Sequence, residues 1–576
     1  GGAAVGFGGL INNITKKPFD TVGGRVNYIF GSFAQHRLTA DIYGPLTADK
    51  KLLGRINTAL SHTGTYQDAG FNKSVFITPS LTYKPNEKLD IQLDVELYQN
   101  KATNPLMVFL NRSRQLFART PEALQFDFDK SYTANDVTFK NPTTNLRGNV
   151  VYRFNERWTS NTTVNWNNRK ADGYFQYVMY LQNSNDTLIN RYAGKQNYAA
   201  KNINAQQNFI GDFHIGELRN RLLVGLDYLY QQTETHNSPY VLVDQINTAI
   251  DDPDYYKFNA GTIDAAISAS TAAKTNNRGR NQVLGAYVSN VLDLTSQLHL
   301  NLALRMDYFD NKGTYNFDKD TTTGTYHQTA FSPRFGLVYE AVKGQVSLFA
   351  NYQNGFKNVS PVVQPHPSIS GDFKPQQAKQ WEAGVKLDLL NNKLGLTASY
   401  YDISVDNMLR PDIVTIDGQT YNISVQDGTR LSRGVDFDVT LAPIQGLNLI
   451  MSYSYNNSKM TKADKNVNNL RPTEAGPKHL SNIWANYSLQ QGKLKGLGFG
   501  IGMNYASENV ITNSVATGTF TLPSYTLLNA SLSYGFKHFE FAFKANNLGN
   551  QTYFKGWTTV NPQMPRNVLG SVAYQF

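Results

Sequence analysis

Leu298-His299-Leu300-Asn301-Leu302-Ala303-Leu304-Arg305-Met306-Asp307-Tyr308 is the stretch whose reading decides the fold. Every even position is apolar or aromatic, while the odd positions carry His299, Asn301, Arg305 and Asp307. A period of two belongs to an extended strand with one greasy face and one wet face. Residues 89–98 repeat it, with Leu89, Ile91, Leu93, Val95 and Leu97 against Asp90, Gln92, Asp94 and Glu96. Residues 381–388 and 539–546 do so again, with Glu382, Lys386, Asp388, Glu540, Lys544 and Asn546 on one side. Strands of about ten residues are tall enough to cross a bilayer when tilted, and their polar faces then need a hydrated interior. The reading is all-β: a transmembrane antiparallel β-barrel.

A chain of 576 residues would ordinarily divide into several soluble domains, yet no linker, charge run or low-complexity tract interrupts this one. It has no run of 18 apolar residues, so no transmembrane helix is expected. Low hydropathy does not argue against a barrel, because half of each strand is polar. The 34 Tyr and 32 Phe suit interfacial girdles and binding loops. A large soluble sandwich or propeller is the competing all-β reading. The net charge of +10 is spread thinly, with no basic stripe, so no nucleic-acid partner is expected. The absence of cysteine excludes disulfides and thiolate metal sites. The opening Gly1-Gly2-Ala3-Ala4 lacks the basic and apolar segments of an export signal, which predicts a mature or truncated start.

From Gly24 onward about 22 strands can be placed, an even number as bacterial barrels require. Tight turns fall near Gly44-Pro45-Leu46, Lys84-Pro85-Asn86-Glu87, Phe154-Asn155-Glu156-Arg157, Gly216-Glu217, Asn391-Asn392-Lys393, Pro443-Ile444-Gln445-Gly446 and Gly535-Phe536-Lys537. Between them lie longer polar segments: 102–144, 171–205, 234–279, 356–377, 407–428, 461–475, 509–522 and 552–564. Short connections on one side and long ones on the other predict periplasmic turns and extracellular loops. Residues 281–293 fit either register, and 206–215 alternate only moderately. The chain closes on an alternating segment, 566–576, that ends in Phe576.

With these features in place, an ordered series of motifs resembles the TonB-dependent ferric-siderophore receptors from one end of the chain to the other. Gly6-Phe7-Gly8-Gly9-Leu10-Ile11-Asn12-Asn13-Ile14-Thr15-Lys16-Lys17-Pro18 resembles the end of that family's plug domain. Asp41-Ile42-Tyr43-Gly44-Pro45-Leu46 is similar to its first periplasmic turn, and Phe331-Ser332-Pro333-Arg334-Phe335-Gly336-Leu337-Val338-Tyr339 to its SPRxGLxY strand. Phe349-Ala350-Asn351-Tyr352 with Phe356-Lys357, Lys374-Pro375 with Trp381-Glu382-Ala383-Gly384-Val385-Lys386, and Arg433-Gly434-Val435-Asp436 follow in family order. Asn546-Asn547-Leu548, Tyr553, Pro565-Arg566 and Phe576 resemble its closing motifs. Gln376 replaces a usual Glu, and Gly549-Asn550 a usual Phe-Asp.

The resemblance implies a barrel over 19–576 and a plug remnant over 1–18, in the outer membrane of a Gram-negative bacterium. It implies uptake of a ferric siderophore of hydroxamate type, energised by the TonB–ExbB–ExbD complex through an N-terminal segment that this chain lacks. Outer-membrane lipid and lipopolysaccharide, and the barrel-assembly machinery reading Phe576, are the further partners it implies. No enzymatic role and no cofactor are expected, since iron arrives already chelated. Uptake of cobalamin, oligosaccharide or haem, or a passive large pore, are the alternatives. A chain that began at Gly1 would lack most of its plug and conduct ions.

Nine scattered histidines form no metal-ligand spacing. His366, between two prolines, is the one a haem reading would use, but its surroundings lack the haem receptors' signature. No nucleophile elbow or phosphate-cradling loop is present. Ligand recognition is expected instead from loop aromatics, which bury chelate surface at small entropic cost. Guided by the resemblance, the expected contacts are Met107, Phe109, Tyr174, Phe175, Tyr177, Tyr180 and Trp557, with Arg112 and Arg114 available to complement an anionic chelate.

Overall fold

Alternating strands can satisfy their backbone hydrogen bonds in lipid only by closing on themselves. The computed structural model describes Phe7, Gly9, residues 12–180 and residues 186–576. Gly6, Gly8, Leu10 and Ile11 of the opening motif lie outside the described residues. Within them, 22 antiparallel strands run from Gly23–Gly31 to Asn567–Gln575 and form a closed barrel. The first strand pairs with the last, Arg25 opposite Gln575 and Gly31 opposite Leu569. Gly24 and Phe576 each donate a backbone N–H to the other's carbonyl at 3.0 Å. Closure leaves the barrel sheet with no free edge strand to template aggregation.

The inside–outside phase follows the sequence. Leu93, Leu302, Leu304, Met306, Phe541 and Phe543 face outward, each 38–50% exposed, whereas Asp94 and Asp307 are buried against the lumen wall. Residues 281–293 adopt the register that puts Leu284 opposite Tyr308 and Val288 opposite Leu304, both outward. Phe539, Tyr574 and Phe576 line up at the periplasmic end of the seam, with ring centroids 5.0 and 6.0 Å apart along the row.

Polar networks stiffen the lumenal face. Arg305 reaches across to Asp227 at 2.7 and 3.0 Å and holds Asp307 through Nε at 2.8 Å. The ion pair lies against Gly285, where an added Cβ would stand 2.2 Å from Arg305 Nη2 and 2.5 Å from Asp227 Oδ1. Glycine is required there by close approach rather than by backbone freedom.

The ladders run further than the sequence pattern indicates. Segments 171–205 and 407–428 read as loops, but they are largely strand: Trp158–Tyr180 pairs with Leu188–Ile215, and Leu394–Ile416 with Gln419–Leu441. Above the membrane neither face of a hairpin meets acyl chains, so the apolar beat that marks a spanning strand disappears while pairing continues. The 234–279 loop carries a short strand, Val241–Asn247, and a helix, Ala260–Ala269. Asn259 caps that helix reciprocally: its side chain accepts from the Thr262 N–H, and its own N–H donates to the Thr262 hydroxyl, both at 3.0 Å.

Candidate functional site

The extracellular loops build a core of their own. Leu110, Leu124, Phe126, Val178, Tyr180, Ile189, Phe520 and Val560 pack together and are almost wholly buried. The loops involved follow early and late strands of the barrel, so the lobe bridges its first and last quarters. A two-residue strand, Val108–Phe109, splices them: it pairs in parallel with Val178 and Met179 and antiparallel with Thr559 and Val560. Period two recurs in this segment. Leu106, Val108 and Leu110 turn into the core, leaving Met107 and Phe109 half-exposed on the other side.

An aromatic platform forms on that other side. Phe109 meets Tyr177 edge-on at 5.0 Å. Tyr177 stacks on Tyr240 at 4.8 Å and on Tyr192 at 5.6 Å, and Phe175 leans on Tyr240 at 5.9 Å. Tyr177 and Tyr192 are cross-strand partners. Phe175 and Tyr177 keep the phase that, lower in the same strand, turns Asn161, Thr163, Asn165 and Asn167 into the lumen. The Arg112 guanidinium lies 5.8 Å over Phe109 and donates to the Thr558 hydroxyl at 2.9 Å. Trp557, the chain neighbour of Thr558, is exposed.

Of the expected residues, Phe109, Phe175 and Tyr177 thus meet in the platform, Met107 shares the strand phase of Phe109, and Trp557 adjoins the threonine that Arg112 holds. The other two sit elsewhere. Tyr180 is 1% exposed inside the loop core. Tyr174 faces the helix, where its hydroxyl donates to Asp264 at 3.1 Å and Lys195 sits over its ring. Both carry the opposite strand phase to Tyr177. Of the two arginines, Arg114 is engaged by Asp186, which also accepts from the Phe117 and Ala118 N–H groups at 2.8 and 3.1 Å. Sequence reasoning missed Tyr192 and Tyr240. A cross-strand register, which needs the hairpin turn, is the signal that would have found Tyr192.

Burial pushes the phenols of Tyr177 and Tyr240 above their ordinary range, so the platform stays uncharged. Tyr240 donates its hydroxyl to the Tyr192 carbonyl at 3.1 Å. Among the described residues no group of three His, Asp or Glu is arranged to hold a metal ion. His366 contacts Ser368 at 2.7 Å and lies 5.3 Å from the Tyr421 ring.

At the other end of the lumen, residues 12–22 run along the wall of the first strands. Thr15 donates to Asp94 at 3.2 Å, and Lys16 pairs with Asp41 at 2.9 Å. Arg55 forks onto Asp41 at 2.8 and 2.6 Å and donates to the Lys17 carbonyl at 2.7 Å.

A closed barrel of 22 strands, greasy outside and polar within, with a built lobe above its mouth, has the architecture of an outer-membrane receptor or transport barrel. Residues 82–548 match the family described as TonB dependent receptor-like, beta-barrel. The chain belongs to the TonB-dependent receptors. It is 24% identical over 99% of its length to the metal-pseudopaline receptor CntO of Pseudomonas aeruginosa, covering 77% of that protein. To the ferrichrome outer membrane transporter/phage receptor of Escherichia coli K12 it is 23% identical, over 95% of this chain and 73% of that one. Among solved structures it resembles the ferric-catecholate import receptor Fiu of E. coli K12 in its closed form. That match has a TM-score of 0.79 and 17% identity, over 98% of this chain and 83% of that one.

Proposed function

We propose that this receptor takes up a ferric siderophore of hydroxamate type, captured on the Phe109–Tyr177–Tyr240 platform and driven inward by the TonB–ExbB–ExbD complex. In this reading residues 1–18 are the closing piece of a plug domain and 19–576 the barrel. Iron enters inside its chelator, so the protein supplies no ligand to the metal and needs no cofactor. The observation that carries the reading is the uncharged aromatic stack with a single arginine at its edge. A ferric trihydroxamate is neutral and compact and suits such a surface, whereas a triply anionic tricatecholate would leave most of its charge unmatched. Arg112 favours one second reading, a metal complex of an aminocarboxylate, whose carboxylate the guanidinium would hold.

Fluorescence titration of the purified protein separates these. Ferric trihydroxamate should bind tightly, and Tyr177→Ala should weaken it by about thirtyfold, the size of a hot-spot truncation. Tighter binding of the tricatecholate would end the hydroxamate assignment. Arg112→Gln should leave trihydroxamate binding nearly unchanged, while a marked loss confined to a metal–aminocarboxylate would favour the second reading. Uptake of radiolabelled iron by cells with and without TonB tests the energy source.

Tyr180 supplies an internal control. Its hydroxyl is buried with no hydrogen-bond partner among the described residues. Tyr180→Phe should therefore stabilise the lobe by about 1 kcal/mol and leave ligand titrations unmoved. A loss of affinity in this variant would mean that the platform extends into the loop core.

A further inference from the structure

Strand Leu218–Asn237 leaves the barrel ladder at its top, and the chain returns in strand Thr275–Asp293. The excursion between them carries Tyr240, the short strand Val241–Asn247 and the helix Ala260–Ala269. His236 and Asn276 are cross-strand partners at its neck, well above the apolar band, since about ten residues of the strand suffice to cross that band. The His236 Nδ1 lies 2.7 Å from the Asn276 Oδ1, and its Nε2 lies 2.9 Å from a Glu234 carboxylate oxygen. Asn276 in turn donates its side-chain N–H to Asp318 at 2.7 Å, just beyond strand Leu298–Asn316. The Phe317 ring lies 5.4 Å from the imidazole, centroid to centroid.

These contacts decide the charge of the ring. A carboxylate only accepts hydrogen bonds, so Nε2 must donate to Glu234. The Asn276 amide is oriented by Asp318, whose carboxylate takes its N–H, so its oxygen faces His236 as an acceptor. Both ring nitrogens must carry protons, and only the imidazolium satisfies both bonds. Other histidines are under no such demand: the Tyr28 hydroxyl beside His36 and the Ser368 hydroxyl beside His366 can each donate or accept. The charges around His236 favour the cation. Its bonds to Glu234 and Asn276, with Asp318 nearby, hold it above the ordinary imidazole range. Arg278, opposite Glu234 and lying over the Tyr315 and Phe317 rings, opposes them. The Asp320 carboxylate is taken by the Tyr315 hydroxyl at 2.7 Å. On the other flank Tyr198 is opposite Thr235 and Ala199 opposite Glu234, which adds no formal charge.

We infer that His236 is a pH-sensitive latch on the neck of this excursion, closed by the imidazolium and loosened when the ring gives up a proton. Closed, one ring joins the entry of the excursion to its exit and, through Asn276, to Asp318. The neutral ring keeps one of the two bonds and turns a lone pair toward the other acceptor. Stability from a raised imidazole is complete in acid and is lost as pH rises through the folded-state value. Tyr240 follows His236 by four residues, so the aromatic platform inherits this dependence. An effect on ligand rests on the platform as the capture surface; the latch itself does not.

Hydrogen exchange of residues 238–275 in the detergent-purified protein tests it, at about pH 5 and about pH 8 with labelling times scaled for the intrinsic amide rate. The unaltered protein should be protected about fivefold more at the lower pH, the effect of one exposed charge-assisted contact. His236→Gln should remove the difference, and His366→Gln should leave it intact. Glu234→Gln should move the midpoint of the change to lower pH. It carries the test alone should His236→Gln lack the heat-modifiable mobility of a folded barrel. Equal protection at both pH values in the unaltered protein would overturn the latch, as would a pH difference that survives His236→Gln or an unmoved midpoint in Glu234→Gln. Ferric trihydroxamate should bind the unaltered protein about fivefold more tightly at the lower pH, and His236→Gln equally at both. Absence of that binding difference with the exchange result intact would count against the platform as the capture surface and leave the latch standing.

Discussion

Arg191→Met should destabilise the extracellular lobe by about 3–5 kcal/mol, the usual result of orphaning one half of a buried ion pair. Arg191 has no solvent exposure, yet it holds the Asp244 carboxylate bidentately at 2.7 and 2.6 Å. It also donates to the Tyr255 and Asp254 carbonyls at 2.9 and 3.1 Å and lies 4.6 Å over the Phe258 ring. One side chain therefore ties the tall hairpin to strand Val241–Asn247 and to the turn that precedes the helix. Methionine fills similar volume but strands a carboxylate and two carbonyls in a poorly hydrated place. The double replacement Arg191→Met/Asp244→Leu should recover much of the loss, because it removes the unmatched charge as well. Limited proteolysis between residues 248 and 274, with hydrogen exchange on the same segment, reads the effect. Unchanged protection in the single variant would mean that the lobe is held by its apolar core alone.

The second large effect lies in the wall. Leu302→Arg places a cation against acyl chains near mid-strand and should cost about 2–4 kcal/mol in refolding titrations. Asn301→Arg, one residue away on the lumenal face, should be nearly neutral. Leu302 is 38% exposed to the outside, while the Asn301 side chain accepts from Ser289 within the polar wall at 3.4 Å. Similar costs at the two positions would contradict the phase on which the barrel rests.

The spanning strands were legible because the bilayer forces one face to be apolar and the lumen forces the other to be polar. Residues 298–308 show both constraints in eleven positions. The closure of the barrel was legible at Phe576, whose backbone pairs with Gly24. Legibility ended where the chain left the membrane. Residues 171–180 and 188–205 are paired throughout, yet they carry no lipid-facing alternation, because the face that turns into the loop core buries Gln176 and Arg191 along with Val178 and Tyr180. The same loss of signal divided the candidate site. Tyr174, Phe175, Tyr177 and Tyr180 looked equivalent as aromatics in a loop. Once the segment is seen as a strand, parity alone sends Tyr174 and Tyr180 to one face and Phe175 and Tyr177 to the other. Tyr240 reaches the stack from a different loop, and no local pattern points to it.

The strand Leu188–Ile215 has a consequence for how ligand moves. Its 28 residues reach roughly 90 Å at ~3.3 Å each, far more than the apolar band of about 25 Å consumes even when tilted. Tyr192 lies near its summit, so the aromatic stack stands well outside the lipid, on a mast rather than at a doorway. Pairing with strand Trp158–Tyr180 runs without a register shift from Ile189 down to Gly211, so the mast is a continuation of the wall. Under the proposed function, capture and passage are separate events at separate altitudes, so Tyr177→Ala should lower affinity without changing the lumen.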